Sequence, residues 1–287
     1  MRFSLPTMHL IARFGRNEDG IIQRENLLRS VKRIIELGSK NIDLCMDSVN
    51  YRSEQFDNRI MEKILWLKGK HQLSFTAHLP FIYTDISALD EGIREVSVKN
   101  IISTINVTKS LGVEVFVLHA LGSIAHRFLT AKHPNQMKKK AIIDFRNDIL
   151  EQANKSIKTI CDYIEPERIA IENLPYAPIE IFVSIAEQNG CSYCFDVGHS
   201  ILIDNDPINF IKENFHNIAI IHLHDVVRSQ SGEIVDHQAL GKGFAPIKEI
   251  LALCEKVNLN APIVIENLNE QTAVLSLQYL KNNNIVI

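Results

Sequence analysis

Ile169-Ala170-Ile171-Glu172-Asn173-Leu174 and Ile263-Val264-Ile265-Glu266-Asn267-Leu268 are two versions of one phrase. Each is a short β-branched apolar run that stops on a glutamate. A continuous apolar run of this kind, with no polar alternation, fits a strand buried on both faces, the habit of parallel sheets covered by helices. Working outward, similar runs occur at Phe3–Leu5, Asn41–Cys45, Leu73–Thr76, Val113–Leu118, Tyr193–Phe195 and Ile218–Leu223, which brings the number to eight. Between them lie stretches with helical spacing, such as Leu27, Leu28, Val31, Ile34 and Ile35 before Gly38, or Ile250, Leu251, Leu253, Cys254 and Val257 before Asn260. Val98, Ile101, Ile102, Ile105 and Val107 to Leu111 form another, closed by Gly112. Strand then helix, repeated eight times in 287 residues, predicts an α/β protein with a closed (β/α)8 TIM barrel. No Gly-x-Gly-x-x-Gly follows an early strand, and no Gly/Ser/Pro-rich linker divides the chain, so residues 1–287 are expected to form one domain. The longest connection, Leu121 to Asn135 with His126, Arg127, Lys132, His133 and Pro134, is expected to be an insertion on the active-site face.

Composition agrees with an ordinary globular chain. Hydrophobic residues make up 46% and charged residues 23%, which excludes disorder and coiled coil. The 31 basic and 34 acidic side chains leave a net charge of −3 with no block of like charge, so a purely electrostatic grip on nucleic acid is not supported. No run approaches the ~20 apolar residues of a membrane helix, and Met1 to Gly20 lacks a signal-peptide cleavage site. Five cysteines, an odd number, suit a reducing cytoplasm. Cys191-Ser192-Tyr193-Cys194 matches C-x-x-C, but it leads into a strand rather than a helix and is taken as buried strand cysteine.

In such a barrel chemistry sits at the C-terminal ends of the strands. The third strand closes on Ala77-His78-Leu79-Pro80 and the fourth on Leu118-His119, and the fifth on Ile171-Glu172. The sixth closes on Phe195-Asp196-Val197-Gly198-His199, the seventh on Ile221-His222-Leu223-His224-Asp225 and the eighth on Ile265-Glu266. A loop motif, Asp236-His237, adds two candidates. One strand-end histidine is ordinarily structural; six successive ends in His, His, Glu, Asp, His and Glu call for a common cause. Carboxylate and imidazole are the borderline donors that suit Zn, Mn or Co, and the cysteines stay out of the pattern. Glu172, Asp196, His222 and Glu266, from four consecutive strands, would surround one divalent metal ion near the barrel axis. His78, His119, His199 and His237 would hold further ions, up to three in all, or bind substrate oxygens. His224 is expected to turn away from His222, either backing a ligand or serving structure alone.

These motifs resemble the xylose isomerase-like barrel superfamily, which contains sugar isomerases and epimerases together with endonuclease IV-type apurinic endonucleases. Ala77-His78-Leu79-Pro80-Phe81, Ser97 to Gly112 and Val117-Leu118-His119 resemble the endonuclease segment. Phe195 to His199, His222 to Asp225 and Asp236-His237-Gln238-Ala239-Leu240-Gly241-Lys242-Gly243 are similar to both branches. The resemblance implies Glu172, Asp196, His222 and Glu266 as metal ligands, with Glu172 and Glu266 as the acid–base pair of an epimerase. It also implies that His199 and Arg228, six residues past His222, bind substrate oxygens. In the endonuclease branch His78, His119, His199 and His237 hold extra ions with an aspartate that here falls on Val235, so whether Asp236 substitutes is open. Met46 to Phe56 lacks the loop that endonucleases insert into DNA. The leading expectation is therefore a metal-dependent sugar isomerase or epimerase acting through an enediolate, and the alternative is a metal-dependent phosphodiesterase. A small carbohydrate is the expected partner, nucleic acid and membrane are not, and homo-oligomerisation is left open. Specificity should lie in loops such as Phe81 to Leu89 and Leu121 to Pro134.

Overall fold

The computed structural model describes residues 1–7, 14–16, 22–24, 27–50, 53–130 and 136–285. Lys132, His133 and Pro134 of the expected insertion, and Tyr51 and Arg52 of the second-strand loop, lie outside them. Eight strands close a parallel barrel in chain order: β1 (Arg2–Pro6), β4 (Asn41–Cys45), β5 (Ser74–His78), β6 (Phe116–Leu118), β7 (Ile169–Glu172), β8 (Ser192–Asp196), β9 (Ile218–Leu223) and β12 (Pro262–Ile265). The final strand returns to the first, Phe3 pairing with Ile263. Two antiparallel hairpins stand outside the barrel, β2 (Phe14–Arg16) with β3 (Ile22–Arg24) after the first strand, and β10 (Asp225–Arg228) with β11 (Ile234–Gln238) after β9.

Helices fill the returns. Among the described residues they are α1 (Leu27–Glu36), α2 (Asn58–His71), α3 (Glu91–Thr108), α4 (Ser123–Leu129), α5 (Gln136–Cys161), α6 (Ile179–Asn189), α7 (Val197–Leu202), α8 (Pro207–Asn214), α9 (Ile247–Lys256) and α10 (Glu270–Asn282). Local chemistry starts several of them. Asp57, Asp90, Asp206 and Asn269 each accept backbone N–H bonds of the first turn, relieving donors that have no intrahelical partner. Gly112 and Gly190 end elements in the left-handed conformation that glycine adopts without Cβ strain. The connection from Leu121 is not all loop: Ser123–Leu129 coils into α4. Val113 and Val115, expected in a strand, precede β6, which spans only Phe116–Leu118. Among the described residues no helix is long and apolar enough to cross a membrane.

Inside the barrel the side chains form layers. Val117, Ala170, Cys194, Ile220 and Val264, one from each of five adjacent strands, make a fully buried apolar layer. Strand side chains return to the same face every second residue, so the residues two further on, His119, Glu172, Asp196, His222 and Glu266, stand above this floor. The outward faces of the strands pack on the helices through the larger core that includes Phe75, Phe116, Tyr193 and Phe195. Cys194 thus belongs to the floor, while Cys191, just before β8, lies 4.0 Å through sulfur from Cys161 at the end of α5. All five thiols are free. Ile220→Ala should empty part of the floor and cost about 2–5 kcal/mol of stability, measured by denaturant unfolding at constant m-value.

Candidate active site

The polar layer converges. Glu172, Asp196, His222 and Glu266 each offer a ligand atom within 4.8 Å of the others, and all four are buried. The register explains it: Asp196 pairs directly with His222 across β8 and β9, while Val264, two residues before Glu266, pairs with His222 across β9 and β12. His222 Nδ1 lies 3.0 Å from Glu266 Oε2, 3.3 Å from Glu172 Oε1 and 3.9 Å from Asp196 Oδ2. Despite these approaches neither ring nitrogen of His222, nor Glu266 Oε2, makes a hydrogen bond. A buried polar atom without a partner costs about 1–3 kcal/mol, and one imidazole nitrogen facing three carboxylates is a donor set that a divalent cation satisfies. These four residues could therefore hold a metal.

Two further imidazoles bear on Glu172. His78 Nε2 and His119 Nε2 lie 3.1 and 3.0 Å from Glu172 Oε2, and Phe81 packs on both rings with centroids 4.9 and 4.4 Å away. Asp47 fixes that loop by accepting the N–H groups of Phe81 and Ile82. Burial pushes the Glu172 carboxyl up, but His222 and His119 outweigh it and hold it well below the usual range. For Glu266 too burial raises, and His222 then lowers the carboxyl well below that range. His78 is opposed by burial but carried up to about 9 by its bond to Glu172. Burial wins at His119, which is lowered. His78, His119 and Glu172 form a second group whose ligand atoms lie together.

On the opposite side Asp196 caps α7, Oδ1 accepting the His199 N–H at 2.6 Å. His199 Nδ1 lies 3.1 Å from the Asn173 carbonyl, leaving Nε2 directed to Asp236, 3.9 Å away. His237 Nδ1 is 3.0 Å from Asp236 Oδ1. Asp236 and His237 lie in strand β11 rather than in a loop, and His237 holds a positive φ of 53° there, a strained conformation for a residue with a side chain. His224 does not turn away from His222. A two-residue step keeps the same side of the chain, and Nε2 reaches both Asp196 oxygens at 3.1 Å. Arg228 is not brought to the cluster; it is exposed, donates to Gly232 O at 3.0 Å and lies over Phe244.

The two asparagines of the repeated phrase hold backbone, a role the sequence alone does not label. Asn173 donates to Asp196 O at 2.9 Å and accepts from Asp196 N at 2.7 Å, fixing the backbone of that carboxylate. Asn267 donates to the carbonyls of His237 and Gln238 and accepts from Ser276. Asp43 is a further buried carboxylate on β4, raised by burial and bonded to Thr76 at 2.6 Å. Their only sequence signals were an Asn after each strand-end Glu and an Asp inside an apolar run.

A family model described as the xylose isomerase-like TIM barrel matches residues 31–283. An uncharacterized protein of Methanocaldococcus jannaschii, MJ1311, is 24% identical over 269 residues, covering 90% of this chain and 84% of its own. A solved D-tagatose 3-epimerase-like protein superposes with a TM-score of 0.70 at 20% identity, over 99% of this chain and 98% of that one. D-psicose 3-epimerase with D-tagatose, from Clostridium cellulolyticum H10, superposes with a TM-score of 0.67 at 12% identity, over 100% and 99%. At such identities the superpositions carry the fold.

The Asp236–His237 pair gives a pH signature. Burial opposes His237, but its bond to Asp236 raises it to about 9, while that bond lowers Asp236 to about 2. His237 then stabilises the fold fully below 6.5 and less as pH rises through 9; Asp236 does so above 3.8 and less as pH falls through 2. In chelator-treated protein the stability difference between wild type and Asp236→Asn should be flat from pH 3.8 to 6.5 and shrink on either side, read as thermal midpoint against pH.

Proposed function

Because the chain belongs to the xylose isomerase-like TIM barrel family, we propose that it is a divalent-metal-dependent isomerase or epimerase of a small sugar or sugar derivative. The observation that carries this reading is the buried meeting of Glu172, Asp196, His222 and Glu266, with His222 and Glu266 Oε2 left without hydrogen bonds. A Zn, Mn or Co ion bound by these four would supply Lewis acidity toward a carbonyl and its neighbouring hydroxyl.

The remaining work falls to the chain. Glu172 and Glu266 face one another across His222 and form the acid–base pair. One removes the proton from the carbon between carbonyl and hydroxyl, giving an enediolate, and the other returns a proton to the opposite face or the neighbouring carbon. His78 and His119, both against Glu172 Oε2, leave Oε1 as its working oxygen, while His222 and then His119 keep the carboxyl ionised. His199 Nε2 and His237 stand where a substrate hydroxyl could be bound, and Phe81 closes the side of His78 and His119 against water. Arg228 would reach substrate only by leaving Gly232.

A second reading, a phosphodiesterase of the endonuclease IV type, is favoured by one observation, the neighbouring His78–His119–Glu172 group that could take another ion. Purified protein should carry one divalent ion per chain by elemental analysis, and should wash deuterium from D2O into the proton-bearing carbon of a substrate ketose. Glu172→Gln and Glu266→Gln should each lower that exchange by about 10²–10⁴-fold. Two or three ions per chain, with cleavage of an abasic-site duplex and no exchange in a ketose panel, would establish the second reading instead.

A further inference from the structure

His224 is fully buried and lies outside the four-residue cluster, yet both its ring nitrogens are committed. Nδ1 lies 2.9 Å from the backbone nitrogen of His237, a group that can only donate. Nδ1 must therefore present its lone pair, and the ring proton sits on Nε2. The competing contact of Nδ1 with the Asp225 carbonyl is longer, 3.4 Å, and would require a proton on that same nitrogen. Nε2–H consequently donates to Asp196, whose two oxygens are both 3.1 Å away.

Three other features serve this ring. It occupies the space a Cβ at position 198 would fill, since such an atom would fall 1.9 Å from His224 Cε1. It stacks on His237, centroids 4.2 Å apart and planes 10° from parallel. The left-handed backbone at His237, whose carbonyl is held by Asn267, aims the N–H at Nδ1. Asp196 Oδ1 is already occupied by the His199 N–H, so the added donor clamps the carboxylate with Oδ2 toward His222.

We propose that His224 is a positioning residue, not an ion ligand: a singly protonated imidazole, its tautomer set by the His237 N–H, that orients Asp196 for the metal. A hydrogen bond behind a ligating carboxylate holds its direction, and losing such support typically weakens metal affinity 10–100-fold. This rests on the reading of Glu172, Asp196, His222 and Glu266 as ligands. It removes His224 from the His199–His224–His237 group as a coordinating atom.

Two measurements test it. Long-range proton–nitrogen NMR of the full-length, chelator-treated protein should show His224 protonated on Nε2 alone; a proton on Nδ1 alone, or on both nitrogens, overturns the assignment whether or not metal binds. Calorimetric titration with Co²⁺ should then give a 10–100-fold weaker Kd for His224→Leu than for wild type. His224→Gln, whose amide can still donate to Asp196, should recover most of the loss, with both metal-free variants keeping the wild-type far-ultraviolet spectrum. Unchanged affinity in His224→Leu, or equal loss in both variants, overturns the positioning role. Should wild type bind no Co²⁺, the proposed function falls, while the NMR result still decides the tautomer.

Discussion

Three carboxylates buried around one imidazole are the constraint on which the mouth of this barrel depends. Burial alone would protonate Glu172 and Glu266. Both are instead held well below the carboxylate range, chiefly by His222. Like charges confined this closely demand positive charge nearby, and the chain supplies it in tiers. His222 stands among the carboxylates, His78 is raised beside Glu172, and His237, also raised, comes within 3.7 Å of Glu266. Breaking a buried charge set by removing one partner is costly, so the histidines and carboxylates stand or fall together.

The fold supplies the geometry through strand parity. The apolar floor of Val117, Ala170, Cys194, Ile220 and Val264 and the polar tier two residues above it are one device repeated on five strands. A one-residue slip in any strand would exchange an inward polar side chain for an outward apolar one. Position is thus set by the sheet, and fine orientation by the loops: Asn173 on the backbone of Asp196, Asn267 on the β11 hairpin, Asp47 on the turn that carries Phe81.

Much of this was legible in the sequence, for a physical reason. Buried parallel strands must be apolar, so a polar residue closing such a run stands out, and the eight runs together with Glu172, Asp196, His222 and Glu266 could be read directly. What escaped depended on directions rather than residue types. The expectation that His224 alternates with His222 and faces away fails because a two-residue step preserves the face. Arg228 sits at a suggestive spacing from His222, but spacing does not reveal that its hairpin offers it the Gly232 carbonyl. The asparagines were invisible because their partners are backbone groups, which the sequence does not label. Asp43 escaped because one carboxylate inside an apolar run reads as a strand residue until Thr76 is seen beside it.

Gly198 carries a wider implication. Its missing side chain is the volume in which the His224 ring rests. The two positions, on consecutive barrel units, are therefore coupled: a side chain at 198 requires the ring at 224 to shift from its place or give way to a smaller residue. Covariation between them across descendants of this chain would record which ones kept the same support beneath Asp196, independently of how far the loops around the barrel mouth have drifted.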